Sequence, residues 1–244
     1  MPFTLSHTIA VLPLRGIKLL SLTGLIIGSM TPDFEYFIRM SLKSEFSHDF
    51  LGAFYFDLPV GIAFCFIYHQ LCKEFIIDNS PPFISERMVK YREFRWWSYF
   101  KQNAIWIIVS VLIGALTHVV WDSFTHGNGF MVGVFPFLKK GIPIFGTSYP
   151  IFYMIQHVST AIGLIIFFYW FLKLEKTGVK KKGSSLMTVL FLVIAVVIFI
   201  IRIIIMAEHK EVKIGHVIVI FISAIVYSTI ITSVIYKYKT RKSR

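Results

Sequence analysis

Apolar residues in this chain do not alternate; they gather into long runs separated by short polar stretches. Crossing a hydrocarbon core of ~30 Å takes about 20 helical residues. The runs at 51–72, 104–122, 150–172, 186–206 and 214–236 are long enough. The run at 19–30, "LLSLTGLIIGSM", would extend only ~18 Å as a helix. Pro32, Asp33 and Glu35 follow it directly, so the pattern predicts a short re-entrant or half-spanning helix that stops there. The expected fold is an all-α polytopic membrane helical bundle with five full spans plus that short N-terminal segment. Residues 1–172 are expected to form a membrane-embedded core, with a loop at 73–103 and an irregular, Gly- and Pro-rich loop at 127–149. Residues 173–244 supply a basic linker, two C-terminal transmembrane helices and a basic tail.

Composition agrees with a bilayer as solvent. The chain is 56% hydrophobic with 25 Phe, and its mean hydropathy is +0.70, beyond what a soluble domain carries. Net charge is +12. No nucleic-acid motif accompanies that charge, so nucleic acid is not an expected partner. The cations sit between the apolar runs, where they set orientation and meet anionic headgroups. Most fall in 73–103, 173–185 (including Lys180, Lys181 and Lys182) and 237–244 (including Arg244), which the positive-inside rule assigns to the cytoplasm. Arg15, Lys18, Lys139, Lys140 and Lys210 fall on the other side. Five crossings then leave the N-terminus outside, although Arg15 and Lys18 pull the other way. The orientation implied has the C-terminus cytoplasmic. Trp96, Trp97 and Tyr99 are expected at headgroup level. Cys65 and Cys72, seven apart on one helix, are separated by ~10 Å of rise, too far for a disulfide. The opening "MPFTLSHTIAVLPLRG" lacks the features of a signal peptide and is read as mature sequence.

Polar residues inside this pattern are the candidate chemistry. "LTHVVWDSFTHGNG" places His118, Asp122 and His126 four apart, on one helical face. An ionised Asp near mid-membrane costs about 2.5–3.5 kcal/mol. A divalent cation shared with neutral imidazoles offsets that cost. On the same expected outer side lie His7, the "PDFE" stretch with Asp33 and Glu35, the "SHD" stretch with His48 and Asp49, and His157. His69 is the exception, near the inner end of its helix. His7, Asp33, His48, His118 and Asp122 are the candidate metal ligands, and Zn²⁺ is the ion that His and carboxylate ligands suggest. Asp33, Glu35 and His126 are candidates for orienting water or taking its proton. Asp49, Thr125 and His157 are candidates for supporting the ligands. Other readings stand beside these. His118 and Asp122 also suit a plain hydrogen-bonded pair, Asp33 and Asp49 suit helix caps, and Glu35 suits a helix dipole.

The segments "MPFTLSHTIAVLP", "GSMTPDFEYF", "SHDFLGAFYFDLP" and "THVVWDSFTH" together resemble a bacterial family of multi-pass membrane proteins, a domain of unknown function. "HVVWDSFTHGNG", with Pro136 and Phe137 downstream, also resembles the YdjM-like inner-membrane family described as metal-dependent hydrolases. More distantly it is similar to zinc-dependent phospholipase C. The resemblance implies metal ligation at His7, Asp33, His48, His118 and Asp122. It also implies hydrolysis of a (phospho)ester of a lipid or envelope component, with membrane lipids as partners. A non-catalytic membrane protein is the alternative, as a proton or metal-ion transporter or as a scaffold.

Overall fold

A computed structural model describes residues 4–179, 183–209 and 212–242. Lys180, Lys181, Lys182, Lys210 and Arg244, used above to assign sides, lie outside the described residues, as does the start of the opening segment. The chain is an all-α polytopic bundle. Five helical stretches are long and apolar enough to cross a membrane: Ala53–Asn79, Trp96–Val134, Ile151–Lys173, Ser185–Glu208 and Ile214–Lys242. The long helices in chain order are α1 (Leu22–Arg39), α2 (Ala53–Asn79, with π-helical turns at Ala53–Asp57 and Ile67–Cys72), α3 (Trp96–Thr125), α4 (Ile151–Leu172), α5 (Ser185–His209) and α6 (Ile214–Lys242).

Two compact units divide the chain. The first holds the described part of Met1–Phe34 with Glu45–Ile62 and Asn103–Lys173; the second holds Glu35–Ser44, Ala63–Gln102 and the described part of Leu174–Arg244. In the second unit α6 buries a row of small polar residues, Ser223, Ser228, Thr232 and Ser233. Ser228 donates to the Phe191 carbonyl of α5 at 2.5 Å. Small side chains allow helices in lipid to approach closely, since no hydrophobic effect drives them together there. Asp78, at the end of α2, takes both Arg92 (2.8 Å) and the Tyr236 hydroxyl (2.6 Å).

The first unit is organised by a close approach of α1 and α3. A Cβ on Gly114 would lie 2.5 Å from both the Leu25 carbonyl and the Ser29 amide, and one on Gly28 would lie 2.8 Å from the Val111 Cα. One turn earlier the Ser21 amide donates to Ser110 Oγ at 2.8 Å. This seam places the later turns of both helices, which carry the candidate ligands, side by side.

Two expectations are corrected. Pro32 does not stop the first helix: α1 runs through it to Arg39. Proline removes one N–H and leaves the Gly28 carbonyl without its helical donor. Around that gap the Thr31 hydroxyl bonds the Ile27 carbonyl at 2.7 Å, the Ser29 hydroxyl the Ile26 carbonyl at 2.8 Å, and His118 the Ser29 carbonyl at 2.8 Å. Side chains so placed let a helix pass a proline. The loop 127–149 is also not irregular. It holds a short helix at Phe130–Val134, a turn at Pro136–Lys139 and an antiparallel hairpin of β1 (Gly141–Ile144) and β2 (Thr147–Pro150). Its two-residue turn has positive φ at Phe145 and Gly146, the geometry that matches strand twist. Phe-Gly is not the usual Asn-Gly signal, so the hairpin was invisible in composition. Trp96 is buried and stacked on His69 at 4.4 Å, while Trp97 is exposed.

Candidate metal centre

Four segments of the first unit bring their polar side chains to one point. The last two turns of α3 supply His118 and Asp122, four residues apart on one face. Asp33 comes from α1, one residue beyond the proline. The N-terminal turn Thr4–His7 supplies His7. His48 comes from the connection after α1 and has a left-handed backbone, φ 69°. Histidine tolerates that region better than most side chains, but it is strained for any residue with a Cβ. The strain is held where the ring reaches the other ligands.

Asp122 is the hub. Its Oδ1 lies 3.5 Å from His7 Nε2, and its Oδ2 lies 3.4 Å from His118 Nε2 and 4.0 Å from His48 Nε2. Asp33 Oδ1 lies 3.2 Å from His48 Nε2 and 3.8 Å from His118 Nε2. Most of these separations exceed good N–H···O hydrogen bonds, which fall at about 2.7–3.2 Å. They bracket the edge of a tetrahedron around zinc, about 3.3–3.4 Å for ligands about 2.0–2.1 Å from the ion. His7 Nε2 and His118 Nε2 are buried and have no hydrogen-bond partner among the described residues. Two buried lone pairs aimed at carboxylates without a bond are costly unless a cation lies between them. The residues therefore fit a metal ion, in two overlapping triads: His7, His118 and Asp122, and Asp33, His48 and His118.

Supporting contacts orient the rings. The Ser29 carbonyl can only accept, so His118 Nδ1 carries a proton and Nε2 is the nitrogen turned to the pocket. The Ser47 hydroxyl and His48 Nδ1 are 2.8 Å apart. Thr4 Oγ1 donates to Asp33 Oδ2 at 2.5 Å. Burial, with His118 stacked at 3.7 Å, pushes His7 down to about 3, so its imidazole is neutral and ligand-competent at neutral pH. Burial alone would raise the Asp33 carboxyl, but His118 and the hydrogen-bonded His48 outweigh it and hold it below the ordinary carboxylate range. Once an ion takes the place of the imidazole protons, the two aspartates leave two negative charges that a divalent ion cancels.

Other expected residues separate into two groups. His126 lies just past the end of α3, with Nδ1 3.5 Å from Asp122 Oδ2 and Nε2 3.4 Å from Gln156 Nε2. Its side chain is 31% exposed, the most open of the histidines around Asp122. Thr125 Oγ1 reaches Asp122 Oδ1 at 3.5 Å. Beside His7, a cavity of about 10 Å³ lined by Ser6, His7, Trp121 and Ser159 has room for about one water. The structure does not bring in Glu35, Asp49 or His157. Glu35 bonds Arg39 at 2.8 Å and Ser44 at 3.1 Å in the second unit; two residues along a helix turn a side chain about 200° from Asp33. Asp49 caps the following turn through the Gly52 amide at 2.6 Å. His157 is exposed and packs on Tyr153 at 4.3 Å.

Sequence reasoning missed Thr4, Ser29, Ser47 and Gln156. Gln156 had a readable signal, since a buried amide in an otherwise apolar span faces the bundle interior; the neighbouring His157 drew attention instead. Thr4 sits three residues before His7, on the same side of a turn. Ser29 contributes a carbonyl, which no side-chain pattern reveals.

The His48 backbone yields a test. His48→Gly and His48→Ala are both expected to weaken metal binding. The glycine protein should be the more stable of the two by about 1 kcal/mol, because only alanine pays for the left-handed conformation. Thermal denaturation of the metal-free variants checks this; equal stability would mean that the strain is not there.

In comparison with known proteins, the family model described as Domain of unknown function (DUF4184) matches residues 1–234. No curated protein and no solved structure matches the chain.

Proposed function

We propose, for a chain that belongs to the DUF4184 family, the role of a membrane-embedded metal-dependent hydrolase cleaving a (phospho)ester of a lipid or envelope component. One observation carries the reading: the Nε2 atoms of His7 and His118 are buried without a hydrogen-bond partner among the described residues while flanking the Asp122 carboxylate. We take one ion per chain, because the two triads share His118. The resemblance of "HVVWDSFTHGNG" to the YdjM-like hydrolases points to the same reaction class. We take the ion to be Zn²⁺ on the character of the ligands, and the Lys and Arg balance puts the site toward the outer face of a bacterial inner membrane.

When bound, the ion supplies a water of lowered pKa and a Lewis acid for a developing oxyanion. The chain's own residues do the rest. His7, His48, His118, Asp33 and Asp122 hold the ion. Thr4 fixes one oxygen of Asp33 and turns the other toward the imidazoles, where it would either bind the ion or, left unbound, orient water and accept its proton. His126, the exposed imidazole, is placed to give a proton to a leaving alcohol, with Gln156 beside its far nitrogen.

Metal analysis of protein purified without chelators, paired with a screen of phosphodiester lipids, tests the reading. About one zinc per chain and chelator-sensitive release of a headgroup are expected. Absence of bound metal overturns the site; stoichiometric metal without turnover of any ester overturns hydrolysis and favours metal-ion transport.

A further inference from the structure

We infer that the hairpin of β1 and β2 is a membrane-inserting element whose tip, Phe145, lies in the acyl region of the leaflet next to the His/Asp cluster. This goes beyond the proposed reaction and holds whether or not the site hydrolyses anything; it rests only on the chain spanning a bilayer.

Four observations converge. First, Phe145 is 104% exposed at the tip, and its φ is 48°, a region a bulky side chain rarely adopts. A polar residue or glycine would serve the turn better in water on both counts. An aromatic ring held at that point, touching nothing, is understandable when the surroundings are lipid. Second, the apolar exposure is not confined to the tip. Ile142 on the first strand and Phe130, Phe135 and Phe137 in the preceding segment are also exposed, with Phe135 and Phe137 6.1 Å apart.

Third, the segment connects two membrane-crossing stretches. Trp96–Val134 ends just before it, and Ile151–Lys173 begins directly after Pro150. Its base therefore lies at the membrane face that the two stretches share. Tyr149 and Tyr153, stacked at 6.0 Å, stand where β2 passes into α4; tyrosines at a span's end mark headgroup level. Fourth, Lys139 and Lys140 lie together immediately before β1. A cationic pair at the base and aromatic residues beyond it complement anionic headgroups above acyl chains. That pairing of charge with apolar surface selects a lipid leaflet over another protein as the occupant. From base to tip each strand of four residues reaches about 13 Å, enough to carry the tip ring below headgroup level.

The β1–β2 pairing satisfies only the inward-facing backbone groups; both strands keep an open outer edge, so they sit at headgroup depth where water reaches them, and the Phe145 ring is what enters the acyl region. The site lies at the same end of α3 from which this segment departs. A wedge there would loosen lipid packing beside His126, the exposed edge of the cluster.

The test is depth by spin labelling. A nitroxide is placed at Phe145→Cys, and separately at Ile142→Cys and Lys139→Cys, in full-length protein with Cys65 and Cys72, both buried, changed to alanine. Each is reconstituted in nanodiscs of zwitterionic and anionic phospholipid. Collision with oxygen, which partitions into lipid, is expected to exceed collision with a water-soluble nickel chelate at 145. The order should reverse at Lys139, with 142 between the two. A 145 label relaxed mainly by the nickel chelate overturns the proposal and puts the hairpin in water. A label shielded from both agents, with spin–spin broadening, also overturns it and assigns the tip to a second copy of the chain. None of these readings depends on metal or turnover, so failure here is distinct from failure of the hydrolase reading.

Discussion

Single alanine replacements of His118 and Asp122 are expected to abolish metal occupancy and to lower hydrolysis by about 10³ or more. The size follows from what the ion contributes. Its charge stabilisation amounts to several kcal/mol of the barrier, and each ~1.36 kcal/mol is a factor of ten. Both residues sit where every ligand meets: His118 is common to the two triads, and Asp122 lies within 4.0 Å of three ligand imidazoles. Removing Asp122 also leaves His7 and His118 stacked with no counter-charge on their α3 side. His157→Ala, at the exposed ring against Tyr153, serves as the control and should keep full metal content. Metal analysis and initial rates are the measurements. Full occupancy in both ligand variants would show that the ion, if bound, sits elsewhere.

The second large effect is expected from a residue that touches no ligand. Gly114→Val places two methyl groups and a Cβ where the Leu25 carbonyl and the Ser29 amide already lie 2.5 Å from an added Cβ. The obstacles are backbone atoms, so no rotamer change relieves the clash; α1 and α3 must separate. Overpacking of this kind costs about 1–3 kcal/mol and sometimes more. The loss reaches the site because α1 carries Asp33, α3 carries His118 and Asp122, and Ser29 on α1 orients His118. Loss of metal binding together with a lowered denaturation temperature in detergent is the expected outcome. Gly133→Ala, with open space around its Cβ, should change neither. A Gly114→Val protein that binds metal normally would mean that the helix crossing does not set the ligand geometry.

Both expectations depend on different levels of information. Because apolar length is a local property read one segment at a time, run length alone located the five stretches able to cross a membrane, although helices continue past the apolar runs by up to about a dozen residues. The His118–Asp122 pair was legible for the same reason: four-residue spacing on a helix is a local geometry. Local rules failed where a contact from elsewhere in the chain intervened. Pro32 reads as a helix stop until His118, nearly ninety positions away, is seen bonding the carbonyl beside the gap. Asp33 and Glu35 read alike in "PDFE"; helical rotation sends one to the imidazoles and the other to Arg39 and Ser44. His157 looked the better candidate by chemical type, yet it is Gln156, one position earlier, that turns inward to His126.

The sequence by itself determined that this chain is a helical membrane bundle carrying imidazoles and carboxylates in its apolar segments. The tertiary structure decided that His7, Asp33, His48, His118 and Asp122 belong to one pocket, with Thr4, Ser47 and the Ser29 carbonyl holding their orientations. The division has a physical cause. Insertion into lipid depends on the summed apolarity of a single segment, whereas a metal centre depends on side chains from four segments meeting within a few ångströms. That meeting is set by the close glycine seam between α1 and α3 and by a strained turn at His48, neither of which any one segment encodes.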